Sequence, residues 1–157
     1  MIFSDKDQLN QALPLKGRLI ALDVGSKRIG LAICDETRFI ATPKLVLHRM
    51  SNEKDFAKIK EIIDENKVVG IVVGLPLNMD ESESEMSKFV RKFSDNLDNF
   101  FENKLPILLF DERLSSFEAR EIARSKLSRK KEFCDDIAAA VILESFLQSV
   151  IFNNHRS

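Results

Sequence analysis

Leu19-Ile20-Ala21-Leu22-Asp23-Val24-Gly25-Ser26-Lys27-Arg28-Ile29-Gly30-Leu31-Ala32-Ile33-Cys34 is the stretch on which the fold turns. Two runs rich in Leu, Ile and Val flank a short break at Gly25-Ser26-Lys27, the pattern of a β-hairpin with strands over residues 18–23 and 28–34. The first run ends on a carboxylate. Burying an unpaired charge costs several kcal/mol or more, so Asp23 is paired with a cation, bound to a metal, or exposed at the end of its strand.

Outward from this hairpin, strand and helix signals alternate. A third short strand covers 45–48, after the turn signal at Pro43. Between 53 and 66, Phe56, Ile59, Ile62 and Ile63 recur at helical spacing with charges opposite, a first helix that ends before Lys67. Residues 68–73 are a nearly continuous apolar run closed by Gly74-Leu75-Pro76, as in a parallel strand covered on both faces. A polar loop over 78–84 leads into a second amphipathic helix from about Glu85, with Met86, Phe89, Val90, Phe93, Leu97 and Phe100 on its apolar side. The next buried strand, 105–110, stops at Asp111-Glu112-Arg113. Ser115 and Glu118 fit a capping box, so a third helix starts there. Residues 135–152 read as a final, strongly apolar helix. The order βββαβαβαα combines a hairpin-led sheet with right-handed βαβ crossovers, an α/β layer fold.

Composition sets the frame. The chain has 157 residues, 44% hydrophobic and 31% charged, which suits a single domain over 1–157 with residues 1–16 as a short N-terminal extension. No run approaches the ~18 apolar residues of a membrane span, and the polar stretch at 4–8 is unlike a signal peptide, so a cytoplasmic location is expected. Cys34 and Cys134 sit in apolar contexts without metal or redox spacing and read as reduced core thiols. The net charge of −1 selects no partner, but Arg120, Arg124, Lys126, Arg129, Lys130 and Lys131 face only Glu121. That stretch either tracks a phosphate backbone or is a solvated helix face and loop. There is no Trp or Tyr, and the phenylalanines fall mostly at core spacings, so no aromatic platform for stacking bases is expected.

The acids can then be placed. Asp23 ends the first strand, Asp111 and Glu112 the last, and Asp135-Asp136 opens the final helix. In open α/β sheets sites collect at the carboxyl ends of parallel strands, and a helix across that edge adds a ligand. Three carboxylates without an evident cationic partner select a hard divalent ion, Mg²⁺ or Mn²⁺, and two such ions serve phosphodiester hydrolysis. Helix capping by Asp135 or Asp136, and solvation of Asp111 and Glu112, are the plainer readings of the same residues. At about 100° per residue, Asp135 shares a face with Ala138, Ala139 and Ile142, and Glu144 lies opposite. Lys27 and Arg28 either contact substrate near Asp23 or cap the hairpin. Asn78 either serves a turn or presents its amide to a phosphate. His48 and His155 have no partner at catalytic spacing.

Four segments carry a resemblance: Leu22-Asp23-Val24-Gly25-Ser26-Lys27-Arg28-Ile29-Gly30-Leu31-Ala32, Val72-Val73-Gly74-Leu75-Pro76-Leu77-Asn78-Met79-Asp80, Asp111-Glu112-Arg113-Leu114-Ser115 and Asp135-Asp136-Ile137-Ala138-Ala139-Ala140-Val141-Ile142-Leu143. In this order they resemble the motifs of the YqgF/RuvX family over nearly the whole chain. The resemblance implies an RNase H-like fold, a mixed central sheet of about five strands flanked by helices. It also implies similarity to the Holliday junction resolvase RuvC and a nuclease that processes the 5′ end of pre-16S ribosomal RNA. Carried over by residue, Asp23, Asp111 and Asp135 take the family's metal carboxylates, and Glu112 assists as ligand or water orienter. Arg113, Arg124, Lys130 and Lys131 are expected to hold backbone phosphates in such a nuclease. RuvC-like enzymes place an acid at the end of the fourth strand, where this chain has Gly74-Leu75-Pro76, so the second ligand is expected at Asp111 or Glu112, with Asp136 a spare. The loop at 125–132 lacks the glycine usual there. The expected activity is metal-dependent cleavage of precursor rRNA, with ribosomal components as further partners. Branched DNA as substrate and a non-catalytic RNA-binding role are the alternatives. Asp23-Val24-Gly25-Ser26 also resembles the first phosphate motif of actin-like ATPases, whose duplicated second domain has no room in 157 residues.

Overall fold

The computed structural model describes residues 1–112 and 135–154. In chain order its elements are β1 (Ile2–Phe3), α1 (Lys6–Ala12), β2 (Arg18–Val24), β3 (Arg28–Cys34), β4 (Ala41–His48), α2 (Asn52–Asn66), β5 (Val68–Leu75), α3 (Glu85–Phe100), β6 (Ile107–Asp111) and α4 (Asp135–Asn154). The helix expected from the Ser115 capping box lies outside the described residues, as does Cys134.

The strands form one sheet in the order β1-β6-β5-β2-β3-β4. β3 runs antiparallel to both its neighbours, and β2, β5, β6 and β1 are mutually parallel. The hairpin closes where the Gly25 amide donates to the Arg28 carbonyl at 2.8 Å. β1 adds a sixth strand to the roughly five expected. It and α1 fall in the stretch read as an extension. β1 is too short to show an alternating pattern, but Asp5 caps α1 by accepting from the Asp7 amide at 2.8 Å, and α1 buries Leu9 completely.

Alternation along β2 explains why its sequence is apolar throughout. Ile20, Leu22 and Val24 pack into one cluster with Phe56, Ile59 and Ile63 of α2 and Val90, Phe93 and Leu97 of α3. Leu19 and Ala21 pack into the other with Leu9 of α1 and Ala139, Ile142, Leu143 and Phe146 of α4. A sheet covered on both faces needs apolar side chains at successive positions, each Leu or Ile contributing about 1.5–3 kcal/mol on burial. Cys34 belongs to the second cluster as a free, buried thiol.

The helix boundaries follow local chemistry. Ser51 caps α2 by accepting from the Lys54 amide at 3.2 Å, and Lys67 ends it in the left-handed conformation at φ 53°. Ser84 and Ser87 cap α3 reciprocally. β4 starts earlier than residue 45 because the Asp35 carboxylate accepts from the amides of Phe39 and Ile40, at 2.9 and 2.7 Å, and turns the chain back. The register then slips between Leu31 and Ala32, which pair with Leu45 and Pro43. Pro43 had pointed to a break. β4 is an edge strand, where a residue without an N–H is tolerated.

Candidate active site

Asp23 follows Leu19 and Ala21 on the face of β2 that α4 covers. It is partly buried. Across the hairpin it pairs with Gly30, and the pairing of Leu22 with Val73 brings it level with Gly74 on β5. Both glycines leave room that other segments fill. A Cβ on Gly30 would lie 2.0 Å from the Asp135 carbonyl oxygen, so the first turn of α4 rests directly on β3. A Cβ on Gly74 would lie 2.6 Å from the Glu112 carboxylate and 2.6 Å from the end of Ile142. Asp23 therefore stands between two bare positions, with the start of α4 over one and Glu112 over the other.

The electrostatics match this crowding. Burial, and then the neighbouring charge of Asp135, push the Asp23 carboxyl up to about 6 from its ordinary 3.8. Among the described residues its carboxylate has no hydrogen-bond or ion-pair partner. Asp135 pairs with Arg28, Nε to Oδ2, at 3.0 Å. One oxygen of Asp136, Oδ1, is buried without a hydrogen-bond partner among the described residues. Asp23 and Asp135 open into a pocket of about 250 Å³ that Gly25, Ser26, Lys27, Arg28 and Met86 complete.

Asp111 is placed elsewhere. Leu109 packs into the α2–α3 cluster and Phe110 into the α4 cluster, so Asp111 shares the face of Leu109 and Glu112 that of Phe110. Asp111 lines a separate cavity with Lys6, Leu75, Leu77 and Arg91. The structure brings Asp23, Asp135 and Glu112 to one face and leaves Asp111 on the other. Asn78 is exposed, and its Nδ2 donates to Ser82 Oγ at 2.9 Å, bracing the turn over residues 78–82. Lys27 and Arg28 are exposed at the pocket rim. Glu144 is exposed on the far side of α4, and His48 is exposed at the end of β4. Arg113, Arg124, Lys130, Lys131 and His155 lie outside the described residues.

Gly30 and Arg49 escaped the sequence reading. Gly30 carried a signal: a residue without a side chain, inside an apolar strand and across a hairpin from an acid. Arg49 carried none. Its amide donates to the Lys27 carbonyl at 2.8 Å, its Nε meets the buried Asp55 at 3.1 Å, and its guanidinium stands 5.2 Å from the Phe93 ring centre and 5.6 Å from that of Phe89. It ties the β2–β3 turn to α2 and α3.

The donors on Asp23's face are carboxylate oxygens, the chemistry that hard divalent cations choose. The partnerless buried oxygen of Asp136 and the unneutralised Asp23 fit such an ion. Among the described residues no three acidic, histidine or cysteine side chains are grouped tightly enough to hold one. Asp23 and Asp135 form the pair, and Glu112 is the next donor on the same face.

Comparison with known proteins gives the family and the fold. Residues 17–149 match the family described as RuvX, Holliday junction resolvase. A Cereibacter sphaeroides protein named "Putative pre-16S rRNA nuclease" is 42% identical over 150 residues, covering 94% of this chain and 92% of its own. Proteins of the same name from Zymomonas mobilis and Thermoanaerobacter pseudethanolicus are 39% and 40% identical, covering 88% and 84% of this chain and 85% and 96% of theirs. Thermus thermophilus RuvC, solved in complex with a Holliday junction substrate, superposes with a TM-score of 0.59 at 12% identity, over 85% of this chain and 96% of that one. That likeness is one of fold, the RNase H-like arrangement of a mixed sheet between helices. With a match spanning most of its length and relatives near 40% identity, the chain belongs to the RuvX family.

Proposed function

We propose that this protein is a metal-dependent nuclease that hydrolyses RNA phosphodiester bonds, that its substrate is pre-16S rRNA, as the names of its relatives say, and that it processes the 5′ end of that RNA in the cytoplasm. The observation that carries the reading is Asp23: a partly buried carboxylate near the end of its strand that feels the charge of a second, Asp135, and shares with it a pocket rimmed by cations. An isolated structural acid in that position would be selected against. Asp23, Asp135 and Glu112 would hold Mg²⁺ or Mn²⁺, with Asp136 adjacent. When bound, such ions activate water and stabilise the leaving oxygen. Lys27 and Arg28 engage the phosphates beside the cut. Arg113, Arg124, Lys130 and Lys131 extend the phosphate track from the basic stretch of the sequence. Asp111, on the opposite face, is left out of this ligand set, and Asn78 serves its turn. No helix among the described residues is long and apolar enough to cross a membrane. Ribosomal components are the further partners this role implies.

The family description favours a second substrate, branched DNA. Turnover of a pre-16S 5′ fragment and of a four-way junction, measured with Mn²⁺ at one stated salt concentration, separates the two. Faster cleavage of the RNA is expected, falling about 100-fold or more in Asp23→Asn while RNA binding persists. Cleavage that survives Asp23→Asn sinks the site, and faster turnover of the junction reassigns the substrate. RNA binding that is indifferent to divalent ions, without cleavage, would make the protein an assembly factor.

A further inference from the structure

One exposed apolar side chain, Met86, lines the pocket, and another, Phe89, follows it on α3. Met86 is 38% exposed and Phe89 39%. Met86 and Phe89 belong to the apolar stripe of α3, but the core takes only Val90, Phe93 and Leu97, leaving these two, and Phe100 at the far end, at the stripe's border. Met86 lines the pocket with Asp23, Lys27 and Arg28. Phe89, one turn along α3, lies under the Arg49 guanidinium at 5.6 Å. Arg49 in turn holds the Lys27 carbonyl through its amide and reaches the Gly25 carbonyl with Nη1 at 3.5 Å. At Met86 the apolar stripe of α3 meets the cationic rim in one pocket, and Arg49 links Phe89 to the turn beside it.

We infer that Met86 and Phe89 form a wall that receives the base of an unpaired nucleotide next to the scissile phosphate. The inference rests on the nuclease reading of the Asp23 pocket and adds the substrate class, single-stranded or splayed RNA. Two apolar side chains adjacent on one helix face, one of them lining a pocket with cations, suit a ligand that is both charged and apolar. A protein docked on these side chains would cover the pocket that Met86 shares with Asp23 and shut out the substrate. Lys27 and Arg28 call for a polyanion, and an aromatic ring backed by a guanidinium suits a base face. In a duplex the bases stack on one another and offer only their edges.

The test uses Asp23→Asn protein, so that binding is read without cleavage and the inference can fail independently of the mechanism. Dissociation constants for a fluorescently labelled single-stranded RNA and a duplex of equal length are measured by anisotropy over a range of salt. The single strand should bind tighter. Met86→Ser and Phe89→Ser should each weaken it about tenfold, with the slope of log K against log salt unchanged, because stacking releases no counterions. Lys27→Ala should instead reduce that slope by about one. Equal weakening of duplex and single strand, or a changed slope in the Met86 and Phe89 variants, overturns the inference. Unchanged RNA affinity also overturns it and would leave the patch to a protein partner. Thermal melts check folding; if Phe89→Ser disturbs the Arg49 contact, Met86→Ser alone carries the test.

Discussion

Asp23 is held ionised against the preference of its surroundings. Its carboxyl titrates near 6 in the fold and near 3.8 unfolded, so the folded state keeps the proton more tightly. The contribution of Asp23 to stability is therefore most favourable below about pH 4, declines as pH rises towards 6, and stays lowered above that, while Asp35, held down to about 2 by its hydrogen bonds, contributes in the opposite sense at acid pH. At about 1.4 kcal/mol per tenfold change in proton binding, the cost at pH 7 is about 3 kcal/mol. Asp23→Asn should raise the urea midpoint of the ion-free protein at pH 7 and flatten its dependence on pH between 4 and 6. A variant less stable than the parent at pH 7 would show that Asp23 has a stabilising partner. Greater stability with lost activity is the mark of a residue kept for chemistry.

At this scale the sequence told much, but unevenly. Asp23 and Asp135 could be singled out because a charge ending an apolar run, and a pair of acids opening an apolar helix, need explaining wherever they lie. The choice between Asp111 and Glu112 could not be made the same way. Strand alternation sends neighbours to opposite faces, so the assignment depends on which core cluster Phe110 joins, and only packing against Phe146 shows that.

Among the elements, the junction of α4 with the hairpin matters most to the site. The helix covers β2, β3 and β4, and its first turn reaches Asp23 because β3 has no side chain at Gly30. Gly30→Ala would set a methyl 2.0 Å from the Asp135 carbonyl, against backbone that has to shift. We expect a loss of about 1–3 kcal/mol in chemical denaturation, as for an overpacked core, together with weaker ion binding as Asp135 is displaced. Retention of both stability and ion affinity would mean that α4 can lift at no cost. The strongly periodic elements, α2 and α3, could be located from sequence nearly to the residue. β4 and β1 could not. Pro43 disguises the first half of β4 as a turn, and two residues are too few for β1 to show alternation.

For the molecule as a whole, the site depends on segments far apart in sequence, β2, the end of β6 and the start of α4, so an ion bound there ties them together. Millimolar Mn²⁺ should raise the melting temperature by roughly 5–10 °C over the EDTA-treated protein, the effect of ligand at about a hundred times its dissociation constant. Asp23→Asn should melt at one temperature with or without the ion. An equal rise in both proteins would place the bound ion elsewhere. The order of elements was readable because helical and strand periodicities alternate cleanly. Which of the acids share a face was not, because register and face are set between elements.

The slipped register of β4 has a consequence for the protein in concentrated solution. An open sheet edge is a template on which copies can stack, and this one begins beside two exposed apolar residues, Phe39 and Ile40. Pro43 offers no N–H to an incoming strand, and the slip beside Lys44 breaks the regular spacing of the remaining groups. The irregularity that hid half of β4 from a reader of the sequence guards the chain against edge-to-edge aggregation.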